Sequence, residues 1–138
     1  MNNTIHSSDD FEGMRKAGNL AASTLDLLVE KVKPGVSTEE LDNIAFDYIV
    51  RHGGLIAPLF YKGYPKSVCT SINHVICHGI PSSRILENGD IVNIDVTVIV
   101  DGWHGDTSRM FPVGKINAKA QKLIAVSYTH LRAHETCV

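Results

Sequence analysis

The sequence predicts an α+β fold, and three features predict it. Two early stretches carry apolar residues at helical intervals, a ten-residue stretch is apolar at every even position, and the hairpin dipeptide Asp101-Gly102 follows directly. Helices come first and strands second, which places the helices against one face of a mainly antiparallel sheet.

The first helix is expected to be capped by Asp9 or Asp10. Its stripe of Met14, Ala17, Ala21, Leu25, Leu28 and Val32 steps at helical spacing until Pro34-Gly35 stops it. Ser37 opens a capping box with Glu40, and Leu41, Ile44, Ala45, Tyr48 and Ile49 form a second stripe ending at Gly53-Gly54. A loop rich in Gly, Pro and Tyr follows. Residues 67–80 read as a short hairpin turning near Asn73, and Glu87-Asn88-Gly89-Asp90 as a turn into the long strand.

From Ile91 to Val100 the even positions, Val92, Ile94, Val96, Val98 and Val100, are apolar and mark the core face, while Asn93, Asp95 and Thr97 occupy the other. A type I′ turn needs positive φ at both central residues, and Asp-Gly supplies them, so Trp103 onward returns antiparallel. Counting out from the turn opposes Val100 to Trp103, Thr97 to Asp106 and Asp95 to Ser108. Asp95 and Asp106 then lie diagonally on one surface, with Cβ atoms roughly 7 Å apart.

A desolvated pair of carboxylates so close must share a proton, separate their pKa values or take up a cation. Thr97, opposite Asp106, is placed to fix that carboxylate by a hydrogen bond. A bulge near Gly105 would move Asp106 to the other face. On the residues alone two readings stay open, a metal site and a solvated strand face with two ordinary acids. His78, in the run CHGIP, is either a proton donor or ligand at a strand end or a plain surface histidine, and His104 beside the turn reads as surface. Tyr61, Tyr64 and Cys69 either line an apolar pocket or simply pack.

Composition bounds the class. With 138 residues, 43% hydrophobic and 20% charged, this is one soluble domain or a piece of a larger one. A net charge of −2 without a basic run argues against nucleic-acid binding. The start, MNNTIHSSDD, has no signal-peptide pattern, and no apolar run reaches the ~18 residues of a membrane span, so a cytoplasmic chain with no membrane partner is expected. Cys69, Cys77 and Cys137, an odd number without metal-type spacing, suit reduced thiols, and the sequon Asn2-Asn3-Thr4 reads as chance. There is no internal repeat.

Taken together, YKGYPKSVCTSINHVICHGIP and ILENGDIVNIDVTVIVDGWHGDTSRMFPVG closely resemble the type I methionine aminopeptidases, from Phe11 to about Ala125. The resemblance implies the N-terminal half of a pita-bread (creatinase/aminopeptidase) fold. It further implies two divalent metal ions, of cobalt, manganese, iron or zinc, with Asp95 on one and Asp106 bridging both. It makes His78 the histidine that meets the scissile amide, and Tyr61, Tyr64 and Cys69 the methionine pocket. The implied partners are nascent polypeptide N-termini whose second residue is small, with transient ribosome contact, and the full-length relatives are expected to be monomers.

The same resemblance places the remaining ligands, one histidine and two glutamates, in a second half that follows the matched region. Residues 1–125 are therefore expected to form a truncated catalytic domain, inactive or nearly so, with sheet surface left uncovered. Residues 126–138 depart from the family pattern and are expected to be a foreign or disordered tail, in which His130, His134 and Glu135 match no metal motif. The competing readings are a non-catalytic binding module or fragment of the same fold, and a prolidase-like peptidase.

Overall fold

The computed structural model describes residues 5–135, and their side chains up to residue 130; Asn2-Asn3-Thr4, Cys137 and the side chains of His134 and Glu135 lie outside the described residues. Helix α1 (Ser8–Val29) is capped not by Asp9 or Asp10 but by Ser7. Asp10 is the third helical residue, and its carboxylate accepts the Ser7 N–H at 2.7 Å while the Ser7 hydroxyl accepts the Asp10 N–H at 3.4 Å, a reciprocal box. The helix stops short of Val32, and Met14, 44% exposed, lies off the core stripe; Leu20 belongs to it instead.

Helix α2 (Thr38–Arg51) starts at Ser37, whose hydroxyl accepts the Glu40 N–H at 3.1 Å. Two short elements follow, β1 (Leu55–Ile56) and a one-turn 3-10 helix (Tyr61–Gly63). Strand β2 (Cys69–Ile72) does not form the hairpin expected over 67–80. The chain turns at Asn73 as expected, φ 52°, but residues 74–80 return as an irregular loop and β2 pairs instead with the long strand β3 (Ile91–Val100). An internal hairpin would have offered β2 only a short exposed partner, whereas β3 supplies a ten-residue edge.

Strands β3 and β4 (Trp103–Pro112) form the hairpin that the Asp-Gly turn predicts, with φ of 51° at Asp101 and 85° at Gly102. The register is also as counted: Val100 faces Trp103, Thr97 faces Asp106 and Asp95 faces Ser108. β1 and β2 both pair antiparallel with the other edge of β3, so β3 is the centre of a four-stranded sheet. A last helix, α3 (Ala118–Glu135), runs without a break through the expected boundary at 125/126.

The apolar face of the sheet is the floor of the core. Val92, Ile94, Val96 and Val98 are fully buried against Leu20, Ala21, Leu25 and Leu28 of α1 and Leu41, Ala45 and Ile49 of α2. Burying each such side chain is worth about 1.5–3 kcal/mol. Gly105 does not form a bulge. It pairs with Val98 on the core face directly under α1, where a Cβ would stand 2.2 Å from the Ala17 carbonyl oxygen. The absent side chain lets the helix lie on the sheet, and the intact ladder keeps Asp106 on the open face.

Candidate metal centre

Helices α1 and α2 cover one face of the sheet, so the odd positions Asp95 and Thr97 of β3 line an open cleft of about 800 Å³ on the other. Asp95, Thr97 and Asp106 form part of its lining, with Cys69 from β2, Tyr61, Lys62 and Tyr64 from the preceding loop, and His78 from the turn after β2. The seven residues singled out from sequence, scattered over 46 positions of chain from Tyr61 to Asp106, thus border one hollow.

Each is held there by local structure. Asp95 sits mid-strand, flanked by Cys69 on one side and Ser108 on the other. Thr97 donates its hydroxyl proton to Asp106 Oδ1 at 3.0 Å. Tyr64, half-buried, places its hydroxyl 2.9 Å from the Val68 carbonyl and 3.1 Å from that of Gly79. His78 is exposed and has φ 55°, a left-handed conformation that costs a residue with a Cβ. The segment before β2 is tied down by buried Asp42 of α2, whose carboxylate accepts the backbone N–H groups of Ser67 at 2.8 Å and Val68 at 3.1 Å.

The electrostatics follow from the geometry. Burial pushes the Asp95 carboxyl up from its ordinary value, the charge of Asp106 and a hydrogen bond with its carboxyl push the same way, and His78 opposes them. Asp95 is therefore a group that binds a proton more readily than a free carboxylate does. Burial likewise raises the Cys69 thiol, against an opposing bond from the Tyr64 hydroxyl, and burial raises Tyr64 in turn. Both stay neutral, so they present an apolar and polarizable wall.

The pair fits a divalent cation: two oxygen donors on one face, one partly desolvated, the other oriented by a neighbouring hydroxyl. Among the described residues no cluster of three or more His, Cys, Asp or Glu side chains is placed to hold a metal. Asp95 and Asp106 can thus supply only part of a coordination shell. His104 is exposed, as the sequence predicts, and it also lines the cleft. Its distance of two residues from Asp106 puts it on the same face. His130 lies exposed on α3, away from the cleft.

The chain is similar in sequence to the methionine aminopeptidase of Rickettsia prowazekii (strain Madrid E), 58% identical over 124 residues, which is 90% of this chain and 48% of that protein. The crystal structure of the Rickettsia prowazekii enzyme superimposes with a TM-score of 0.90 at 57% identity, covering 91% of this chain and 51% of the other. That of methionine aminopeptidase from Thermotoga maritima gives 0.94 at 25% identity, covering 98% and 55%. The chain spans about half the length of the relatives it matches. They share its fold, the N-terminal part of a pita-bread arrangement in which helices cover an open antiparallel sheet. The profile of Metallopeptidase family M24 matches residues 12–138, a stretch that includes the paired aspartates and the whole cleft, and the chain accordingly belongs to Metallopeptidase family M24.

Proposed function

We propose that this chain is the metal-and-substrate half of a methionine aminopeptidase, acting on polypeptides that begin with methionine followed by a small residue. The observation that carries the reading is the convergence of Asp95 and Asp106 with His78 and the Tyr61, Tyr64, Cys69 wall on one cleft.

Asp95 and Asp106 would hold the divalent ions, two in number and of cobalt, manganese, iron or zinc. Such ions, when bound, supply an activated water and neutralise the charge that develops on the scissile carbonyl oxygen. The chain's own residues do the rest. Thr97 fixes the Asp106 carboxylate through its 3.0 Å bond, so that the lone pairs offered to the ion do not wander. His78, at the cleft wall beside Asp95, holds the scissile amide and delivers or shares a proton there. Tyr61, Tyr64 and Cys69 receive the thioether side chain, and neutral Cys69 leaves the slot free of charge.

One histidine and two glutamates of a second half would complete the shell, and without them the chain alone has little or no activity. We further propose that residues 1–125 are the catalytic portion and 126–138 a foreign tail, although the family match itself runs on to residue 138. Substrates are nascent chains in the cytoplasm, reached during brief contact with the ribosome, and the complete protein acts as a monomer. No described helix is long and apolar enough to cross a membrane.

The test is release of methionine from a Met-Ala-Ser peptide by this chain and by a version extended with the second half of the Rickettsia prowazekii relative, each titrated with manganese and cobalt. Turnover by the extended protein alone supports the reading. Turnover by the short chain overturns the missing-ligand argument, and a preference for X-prolyl peptides replaces the assignment with a prolidase-like one.

A further inference from the structure

His78 adopts a left-handed backbone conformation, φ 55°, which persists in a residue with a side chain only where the surroundings impose it. The imposing contacts fall on its neighbour. The Gly79 carbonyl accepts the Thr70 N–H at 2.7 Å, and the Gly79 N–H donates to the Ser71 hydroxyl at 3.1 Å. The approach is so close that a Cβ on Gly79 would stand 2.2 Å from the Thr70 carbonyl oxygen. A third contact comes from outside β2: the Tyr64 hydroxyl lies 3.1 Å from the Gly79 carbonyl and 2.9 Å from that of Val68.

One hydroxyl therefore clasps three segments, the loop after the 3-10 turn, the entrance to β2 and the turn that carries the imidazole. Its single proton serves the two carbonyls, and the Cys69 thiol also lies within its reach. Tyr64 also lines the cleft beside Cys69. Phenylalanine would keep the ring and remove the hydroxyl with its bonds to the two carbonyls and its contact with the Cys69 thiol.

We propose that Tyr64 is a positioning residue for His78: its hydroxyl, bonded to the carbonyls of Gly79 and Val68, fixes the turn that sets the imidazole beside Asp95, separately from the apolar wall its ring provides. The proposal deepens the aminopeptidase reading and rests on it for the role of His78, while the positional claim stands on the backbone contacts alone.

The first readout uses this chain and needs no turnover. Tyr64→Phe is expected to speed hydrogen exchange at the Thr70 amide, whose acceptor is the Gly79 carbonyl, and to shift the His78 imidazole resonances, leaving the Val96 amide as in the parent. Ser71→Ala, which cuts the bond to the Gly79 N–H and keeps the Tyr64 hydroxyl, is expected to move the same signals less than Tyr64→Phe does; if Tyr64→Phe does not fold, Tyr64→His, which keeps a ring and a donor, is read in its place. Unchanged Thr70 exchange and His78 signals in the folded variants overturn the proposal.

The second readout uses the extended protein and Met-Ala-Ser. Tyr64→Phe should lower kcat about 10- to 100-fold with KM nearly unchanged, the signature of a displaced catalytic group. A raised KM with intact kcat would leave Tyr64 a pocket wall only. If the extended protein shows no methionine release at all, the aminopeptidase reading fails, and the exchange measurement still decides whether Tyr64 positions His78.

Discussion

Thr97 and Asp106 face each other across the β3–β4 ladder, with the threonine hydroxyl donating to Asp106 Oδ1 at 3.0 Å. The bond takes up one lone pair of Oδ1 and leaves Oδ2 without it, so the carboxylate would still have donors for a cation if it holds one as proposed. Thr97→Val keeps the β-branched shape and removes the donor. Isothermal titration with manganese should show affinity reduced about 10-fold, in line with the loss of an orienting partner. Equal affinities would mean that the hydroxyl does not orient the ligand.

Asp95 makes the metal-free fold sensitive to pH. Its carboxyl is raised in the folded state, chiefly by burial and then by Asp106, so the folded chain binds that proton more tightly than the unfolded chain does. The resulting stabilisation is complete below the unfolded carboxylate pKa and is lost as pH rises through the folded value. The stability of the parent relative to Asp95→Asn should therefore fall as pH is raised out of the carboxylate range. Melting curves at stepped pH measure it, and added manganese should recover stability in the parent but not in the variant. A relative stability that climbs with pH in the absence of metal would reverse the assigned sign.

Gly105 is where α1 meets the sheet. A methyl group there would stand 2.2 Å from both the carbonyl carbon and the oxygen of Ala17, backbone atoms that move only if the helix moves. Gly105→Ala is predicted to cost about 1–3 kcal/mol in urea unfolding, as overpacking does. A neutral result would show that α1 can lift without loss.

Asp42 is 4% exposed and accepts two backbone N–H bonds at the entrance to β2. Asp42→Ala would strand the Ser67 and Val68 amides and is predicted to destabilise by about 2–3 kcal/mol. Because those residues lead into Cys69, the thiol should also react faster with a small alkylating reagent. Loss of stability without faster alkylation would confine Asp42 to a structural part.

Much of the fold was legible because strand chemistry is local. Alternation over Ile91–Val100 and the two positive-φ demands of Asp101-Gly102 fixed the β3–β4 register, and with it the shared face of Asp95, Thr97 and Asp106. Helix ends were less legible. Ser7 competes with Asp9 and Asp10 for the cap of α1, and the choice depends on which side chain reaches which amide.

The partner of β2 was misread for a different reason. A four-residue strand pairs with whatever edge the tertiary fold brings beside it, and the long edge of β3 outcompetes a local return. His104 is exposed, as its place beside the turn predicts, while the cleft it also borders is not visible in sequence.

The sequence by itself determined which face of the central hairpin presents the acids, since that follows from the turn and a period of two. Only the tertiary structure decided that Tyr61, Tyr64, Cys69 and His78 meet those acids in one cleft, and that a tyrosine hydroxyl ties the histidine turn to β2. Those contacts join segments distant along the chain. Their closeness comes from helices burying one face of the sheet and leaving the other open, which no local pattern encodes.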